Sequence, residues 1–317
     1  MKIIPSILLA LFLLCQNAFA QNLSPDQSRV IDSLTAHWNQ AGRPGGAISI
    51  LYKGKAFTQK TRGLADISQN KEIRPQTAFH IAQLSNSFIA FALLQLHHQK
   101  HLSLEDKVVD YVSELKHAHQ ELSIKHLLQQ SSGIHDFEIL KNISGWSDEQ
   151  AFSIDDALSL LSKQASPAFK PGSEFSYSRS NILLASVIIE RASKLPFAKY
   201  MHTHLFKPLG MNNSFVLSPE NQSSPIIAHS YRPDENEQSM TLIPSHKETY
   251  ASVSIVSSIE DMTKWEMNLM RPSSATKEIV DQFNNYVRLD NGAYFSVPQG
   301  KMTYGQKYIH KERGIET

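Results

Sequence analysis

Two patterns in this chain have residue types and spacing that could act on a carbonyl or hold a metal. One is a serine with a lysine three residues on. Ser274-Ala275-Thr276-Lys277 has that spacing, which puts a hydroxyl and an amine on one face of a helix. It follows a Pro-Ser stretch and precedes "EIVDQF", so it reads as a helix cap with a solvated lysine. Ser85 and Ser87 lie in "FHIAQLSNSFIAF" (79–91), but Phe88 and Ala90 stand where a lysine partner would be needed. The other pattern is histidine pairs. His97 and His101 are four apart on a predicted helix, and His117 and His119 bracket an alanine. Neither pair brings the third ligand and open position of a catalytic zinc site, so they read as solvated surface histidines. No metal and no cofactor is predicted.

The elements that must position such residues are legible in outline. Ser24-Pro25-Asp26-Gln27 is a helix start, with Ser as N-cap, Pro at the first helical position and Gln three residues after the cap. Val30, Ile31, Leu34 and Trp38 then fall on one face, and Gly42 is expected to end that helix. "GAISILYKGKAF" reads as two strands around Lys53-Gly54, a hairpin signal. Phe88 to Leu96 is apolar nearly all round, as a buried helix is. Further helices are predicted in "SIKHLLQQSSG", "SIDDALSLLSKQA", "SNILLASVIIERASK" and "SIEDMTKWEMNLM". Residues 217–245 read as a polar loop, and "AYFSVPQG" and "TYGQKYIHK" as strands. Strands at both ends with helices between them imply an α+β domain: a sheet from the two termini and an inserted helical lobe.

The chain has 317 residues, 41% of them hydrophobic, enough for a sizeable core. Its first twenty residues read as a secretory signal peptide: Lys2, an apolar run from Ile3 to Leu14, and Ala18-Phe19-Ala20 as a cleavage site. That predicts export to the periplasm or beyond the cell. The one cysteine, Cys15, falls inside this leader, so the mature chain is expected to have no thiol chemistry. No later stretch reaches the roughly 18 apolar residues of a membrane span, so none is predicted in the mature chain. Lys and Arg number 31 against 30 Asp and Glu, and 30 against 30 once Lys2 is set aside. Such balance gives no reason to expect nucleic acid or an anionic membrane as partner.

A series of stretches in consistent order is familiar: "RGLADI", "FHIAQLSNSFIA", "LSLEDKVVDYVSEL", "SIKHLLQQSSGIHDF", "KPGSEFSYSRSNILL", "HLFKPLGMNNSF" and "SIVSSIEDMTKW". From about Pro44 onward the sequence resembles the serine hydrolases related to class C β-lactamases, DD-peptidases (penicillin-binding proteins) and their esterase relatives. The resemblance implies a β-lactamase/transpeptidase-like fold: an antiparallel sheet flanked by helices, a mostly helical lobe, and an active site in the cleft between. In these terms residues 1–20 are the leader and 21–317 one domain. The sheet lobe covers about 21–66 and 286–317, and the helical lobe about 67–285.

The family's chemistry, as the resemblance implies it, needs S-x-x-K at the start of the buried helix, Y-x-N across the cleft, and K-T-G or H-x-G on a C-terminal strand. Aligned on "FHIA" and "FIA", the nucleophile position is Gln83 and the lysine position Asn86. A carboxamide nitrogen is a poor nucleophile because its lone pair is delocalised, and Asn86 is neutral. "YSR" keeps Tyr177, the expected proton relay, but puts Arg179 where Asn is expected. A sharper reading makes Arg179 a cation in the cleft, available to a carboxylate. The third motif is not found before Thr317, so the family's last strands and helix are expected to be missing.

Loss of the nucleophile alone lowers kcat in a serine hydrolase by about 10⁶, roughly 8 kcal/mol of barrier. The sequence therefore predicts no intact catalytic set. The leading expectation is an exported pseudoenzyme whose cleft binds a peptide or cell-wall fragment, with a protein partner covering an exposed sheet edge. Two other readings stay open: an active hydrolase with rearranged residues, and a truncated remnant without biochemical function.

Overall fold

The structure, a computed structural model, describes residues 24–115, 118–147, 150, 152–218, 221, 224, 227–234, 239–243, 255–294, 296–297, 300–305, 308–310 and 315–316. The predicted leader with Cys15, and His117, lie outside the described residues. The chain divides into two compact units, Met1–Pro75 and Gln76–Thr317.

In the first unit, helix α1 (Pro25–Leu34) begins as expected. The Ser24 hydroxyl accepts from Gln27 N, and the Gln27 side chain accepts from Ser24 N, a reciprocal capping box. The helix stops earlier than its apolar spacing suggests, at Leu34, because Thr35 leaves helical geometry and its Oγ1 turns back onto Ile31 O at 2.9 Å. Ile31 is buried, whereas Val30 and Leu34 are exposed, so the predicted apolar face is only partly used. Strands β1 (Gly46–Tyr52) and β2 (Lys55–Arg62) form the expected antiparallel hairpin. Its two turn residues, Lys53 and Gly54, both have positive φ, the type I′ geometry that matches strand twist. Asp32 ties α1 to β2, accepting from Lys60 Nζ at 2.7 Å and from Arg62 at 2.5 Å. Short strands β3 (Leu64–Asp66) and β4 (Lys71–Glu72) pair next, after Gly63, whose backbone passes so close to Gly45 that a Cβ would lie 2.6 Å from its Cα.

The second unit is built around helix α2 (Ser85–His98), which is buried on every side from Ser85 to Leu94. Phe88 lies against Trp265 with ring centres 4.4 Å apart, and Phe91 meets Trp265 and Phe283 edge-on at 5.2 and 5.8 Å. Strand β5 (Ala78–His80), just before it, is one edge of a three-stranded antiparallel sheet. β9 (Ile255–Ser258) is the centre of that sheet and β6 (Phe215–Val216) the other edge. Around α2 come α3 (Ile124–Leu128), α4 (Phe137–Ile143), α5 (Ile154–Ser162), α6 (Arg179–Ser193), α7 (Ile259–Met270) and α8 (Lys277–Phe283). Lys277 is solvated and pairs with Asp281 at 2.6 Å, in keeping with the bland reading of that segment. Its cap residue is Thr276.

Within the stretch expected to be loop, β7 (Ser230–Pro233) and β8 (Met240–Ile243) pair as a largely exposed hairpin. Further along, β10 (Ser296–Val297), β11 (Gly300–Met302), β12 (Tyr308–His310) and β13 (Ile315–Glu316) form a four-stranded antiparallel sheet. His119 corrects the reading of the histidines as surface groups. It is 2% exposed, and neither ring nitrogen has a hydrogen-bond partner. Among the described residues no helix is long and apolar enough to cross a membrane. Nor do three or more His, Cys, Asp or Glu side chains gather there as a metal site.

Candidate functional site

The site is assembled by two arms of the second unit. The first is the start of α2. Ile81 N donates to Ile255 O of β9 at 3.3 Å, which fastens the chain to the sheet before it turns. Ala82 then takes a left-handed conformation at φ 45°, unusual for a residue with a Cβ. A single 3₁₀ turn, Ala82–Leu84, leads into the helix. Gln83 is exposed on this turn. Asn86, one turn further, is 5% exposed. The bend at Ala82 is what lifts residue 83 to the mouth of the helix while residue 86 stays inside it.

The second arm is the loop that leads into α6. It is laced to the segment after α3. Gln130, itself left-handed at φ 53° and fully buried, accepts from Ser176 N through its carbonyl at 2.9 Å. Its side-chain Oε1 accepts from Ser178 N at 3.1 Å and from Asn181 Nδ2. Ser131 O accepts from Gly172 N at 2.8 Å. Gly133 follows, and only a glycine fits there: its φ is 70°, and a Cβ would sit 2.2 Å from Phe169 O. These bonds hold Tyr177 at the rim, 38% exposed.

The arms meet at one contact. Asn86 Nδ2 donates to Tyr177 Oη at 3.4 Å. Asn86 Oδ1 and the neighbouring Ser85 Oγ are buried without a hydrogen-bond partner. Of the positions that the family resemblance singled out, the fold brings Asn86 and Tyr177 together, with Gln83 on the 3₁₀ turn just before α2.

Arg179 is placed differently from its sharper reading. It opens α6, and its backbone N–H donates to Asp136 Oδ2 at 2.8 Å. Its guanidinium Nη1 lies 3.3 Å from Asp136 Oδ1 and 2.5 Å from Glu138 Oε2. The cation is neutralised by two carboxylates rather than left for a ligand. Sequence reasoning missed this pair. Asp136 also caps α4, accepting from Glu138 N and Ile139 N, and a D-x-E pattern at a helix start was the available signal. It also missed the role of Gln130, although that residue lies inside "SIKHLLQQSSGIHDF", one of the stretches that carry the resemblance.

Chemically, the two arms offer an amide, a phenol and an exposed carboxamide. They offer no hydroxyl with a base beside it. Ser85 is fully buried, and Ser87 Oγ already donates to Gly305 O at 2.7 Å.

The β-lactamase family model matches residues 29–308. Protein flp from Staphylococcus aureus (strain MW2) is 29% identical over 275 residues, covering 82% of this chain and 52% of that protein. A D-aminopeptidase from Brucella anthropi is 26% identical over 255 residues, covering 80% of this chain and 46% of the relative. The chain thus spans about half the length of these curated relatives. Among solved structures, the octameric penicillin-binding protein homologue from Pyrococcus abyssi superposes with a TM-score of 0.71 at 23% identity, over 91% of this chain and 66% of that one. A penicillin binding protein from Bacillus halodurans gives 0.70 at 21%, over 85% and 80%. At these identities the structures speak for the fold alone. The α+β architecture and the family model over most of the chain agree: this chain belongs to the β-lactamase family of serine-hydrolase fold.

Proposed function

We propose that this chain is an exported, catalytically defective member of the family, whose cleft binds a peptide or cell-wall fragment without cleaving it. One observation carries the reading. At the two helix positions where a serine and a lysine would work together stand an exposed glutamine, Gln83, and a buried asparagine, Asn86, whose amide is bonded to Tyr177 at 3.4 Å. Neither can form an acyl intermediate or take a proton from a hydroxyl near neutral pH. Rearranged chemistry finds little support in the adjacent serines. Ser85 has no exposed surface, and Ser87 is committed to Gly305 O.

The choice of ligand class draws on the relatives. One is named a D-aminopeptidase, and of two structural neighbours one is named a penicillin binding protein and the other a homologue of one. Export draws on Lys2, the apolar run Ile3 to Leu14 and Ala18-Phe19-Ala20. The test is intact-mass measurement of the purified protein after incubation with a penicillin. No mass increase is expected. A stoichiometric adduct mapped to Ser85 or Ser87 would show a relocated nucleophile and end the proposal.

A further inference from the structure

Away from the Asn86–Tyr177 contact, the second unit has a cleft of about 610 Å³ lined by Lys125, Gln129, Tyr286, Arg288, Tyr294 and Tyr304, among others. That volume is within the usual range for a small-molecule site. The cleft is formed by a short hairpin. Arg288 and Tyr294 face each other across an antiparallel bridge, Gly292 makes the turn at φ 82°, and Tyr286 bridges to Thr303. The floor is braced from behind. Gln129 Nε2 donates to Tyr304 Oη at 3.1 Å, and Asp290 N donates to Gly172 O at 3.0 Å.

The chemistry of the lining is specific. The Arg288 guanidinium lies over the Tyr294 ring, its Cζ 4.1 Å from the ring centre, and donates to the Tyr294 hydroxyl. Among the described residues no carboxylate pairs with it. A guanidinium held over a ring by one hydrogen bond keeps other N–H groups of its fork for a carboxylate. The one carboxylate of the lining, Asp290, lies 3.4 Å from His126 Nε2 and 3.7 Å from Nζ of Lys125, the cleft's other cation, so it is paired with those two groups rather than with Arg288. Tyr286 stands perpendicular to Tyr294 with ring centres 6.2 Å apart, so the two rings make a corner. Three phenols and the amides of Gln129 and Asn285 dominate the lining, and Leu289 is its one aliphatic side chain among the described residues. A peptide side chain would find little apolar surface here. A sugar ring would find aromatic faces for its C–H groups and phenols and amides for its hydroxyls.

We infer that this cleft binds a carboxylated saccharide, the carboxylate on Arg288 and the ring in the corner of Tyr286 and Tyr294. The inference uses none of the groups at the Asn86–Tyr177 contact and stands whether or not that site has lost its chemistry.

The test is equilibrium titration of the purified protein with tetragalacturonate, with cellotetraose as the uncharged control and N-acetyl-alanyl-alanine as the peptide carboxylate. Saturable binding of tetragalacturonate is expected, with the neutral sugar weaker by about tenfold or more, in line with a charge-assisted hydrogen bond. Arg288→Gln should lose a similar factor with an unchanged melting temperature, because Arg288 is exposed. Arg288→Lys keeps the charge without the planar stack and should fall between. Tyr294→Ala should weaken the sugar as well. Absence of saturable binding by the wild-type protein, equal binding of the neutral sugar, or an Arg288→Gln protein that binds as well as wild type would each overturn the inference. So would tighter binding of the dipeptide than of the saccharide, which would make the cleft a peptide-carboxylate site.

Discussion

The loop around Tyr177 and the start of α2 contribute one half each to the same contact, yet they are kept in different condition. In the loop, Ser176, Ser178 and Gly172 each donate a backbone N–H to residues 130–131, and Asn181 adds a side-chain bond. At the helix start, Ser85 Oγ and Asn86 Oδ1 are buried and unpaired, and Ala82 sits in a strained conformation. Unsatisfied buried polar groups cost about 1–3 kcal/mol each; the helix start carries two in adjacent residues, whereas the loop arm carries one, Asn181 Oδ1, among many satisfied bonds, with its own left-handed residue at Gln130. Strain and orphaned groups of this kind are features of active sites. Here they surround Gln83 and Asn86, and on the proposed reading the scaffold of a serine hydrolase has outlasted its nucleophile.

If this contrast is right, each arm has its own buttress, and the two should fail differently. For the helix the buttress is apolar. Phe88→Ala removes the ring packed on Trp265 at 4.4 Å in a fully buried position. The expected loss is about 3–5 kcal/mol, read as a drop in the urea midpoint with unchanged slope. For the loop the buttress is polar. Gln130→Ala leaves the Ser178 N–H and the Asn181 amide without their acceptor, at roughly 2–4 kcal/mol. A loss under about 1 kcal/mol by the same measurement would mean the loop is held by its backbone bonds alone.

Much of the helix arm was legible before any coordinates. The apolar run 88–96 announces a buried helix, and the family resemblance singles out positions 83, 86 and 177, of which Asn86 and Tyr177 meet. The hairpin signal Lys53-Gly54 and the capping box at Ser24 held because their causes are local. What escaped is what depends on distant partners. Gln130 takes its role from residues 46 to 51 positions away. Arg179 looked free until Asp136, 43 positions earlier, was placed beside it. His119 looked solvated because a lone histidine has no periodicity to betray its burial.

Two histidines make the comparison sensitive to pH. His119 has its basicity lowered by burial first and by nearby His135 second. His126 is also lowered, chiefly by burial, although Asp290 opposes the shift. It sits in the cap of α3, with Ser123 N donating to its Nδ1, and so supports the segment that holds Gln130. A histidine whose folded value lies below its unfolded value, near 6.5, binds its proton more readily once unfolded. Stability from this source is therefore fully present above about pH 6.5 and is lost as pH falls toward the folded value. The slope is at most about 1.4 kcal/mol per pH unit for each histidine. His119→Asn with His126→Gln should flatten the dependence of stability between pH 7 and 5, measured by chemical denaturation. An unchanged slope in the double variant would place the sensitivity elsewhere.

The smallest effects separate two carboxylates that look alike around Arg179. Asp136 is a cap as well as an ion-pair partner: it accepts from Glu138 N, Ile139 N and Arg179 N, and it is nearly buried. Glu138 meets the guanidinium at 2.5 Å from a half-buried position, and the backbone N–H groups at the start of α4 donate to Asp136. Caps are worth about 0.5–2 kcal/mol, and exposed ion pairs about 0–1. Asp136→Ala should therefore lose about 1–2 kcal/mol at any salt concentration, because backbone N–H groups are left without an acceptor. Glu138→Gln should lose under about 0.5 kcal/mol, and the difference from wild type should vanish in 1 M salt, where exposed charges are screened within about 3 Å. Equal losses for the two variants, both erased by salt, would mean that Arg179 is held by charge alone and that the loop arm is less firmly bonded than its geometry indicates.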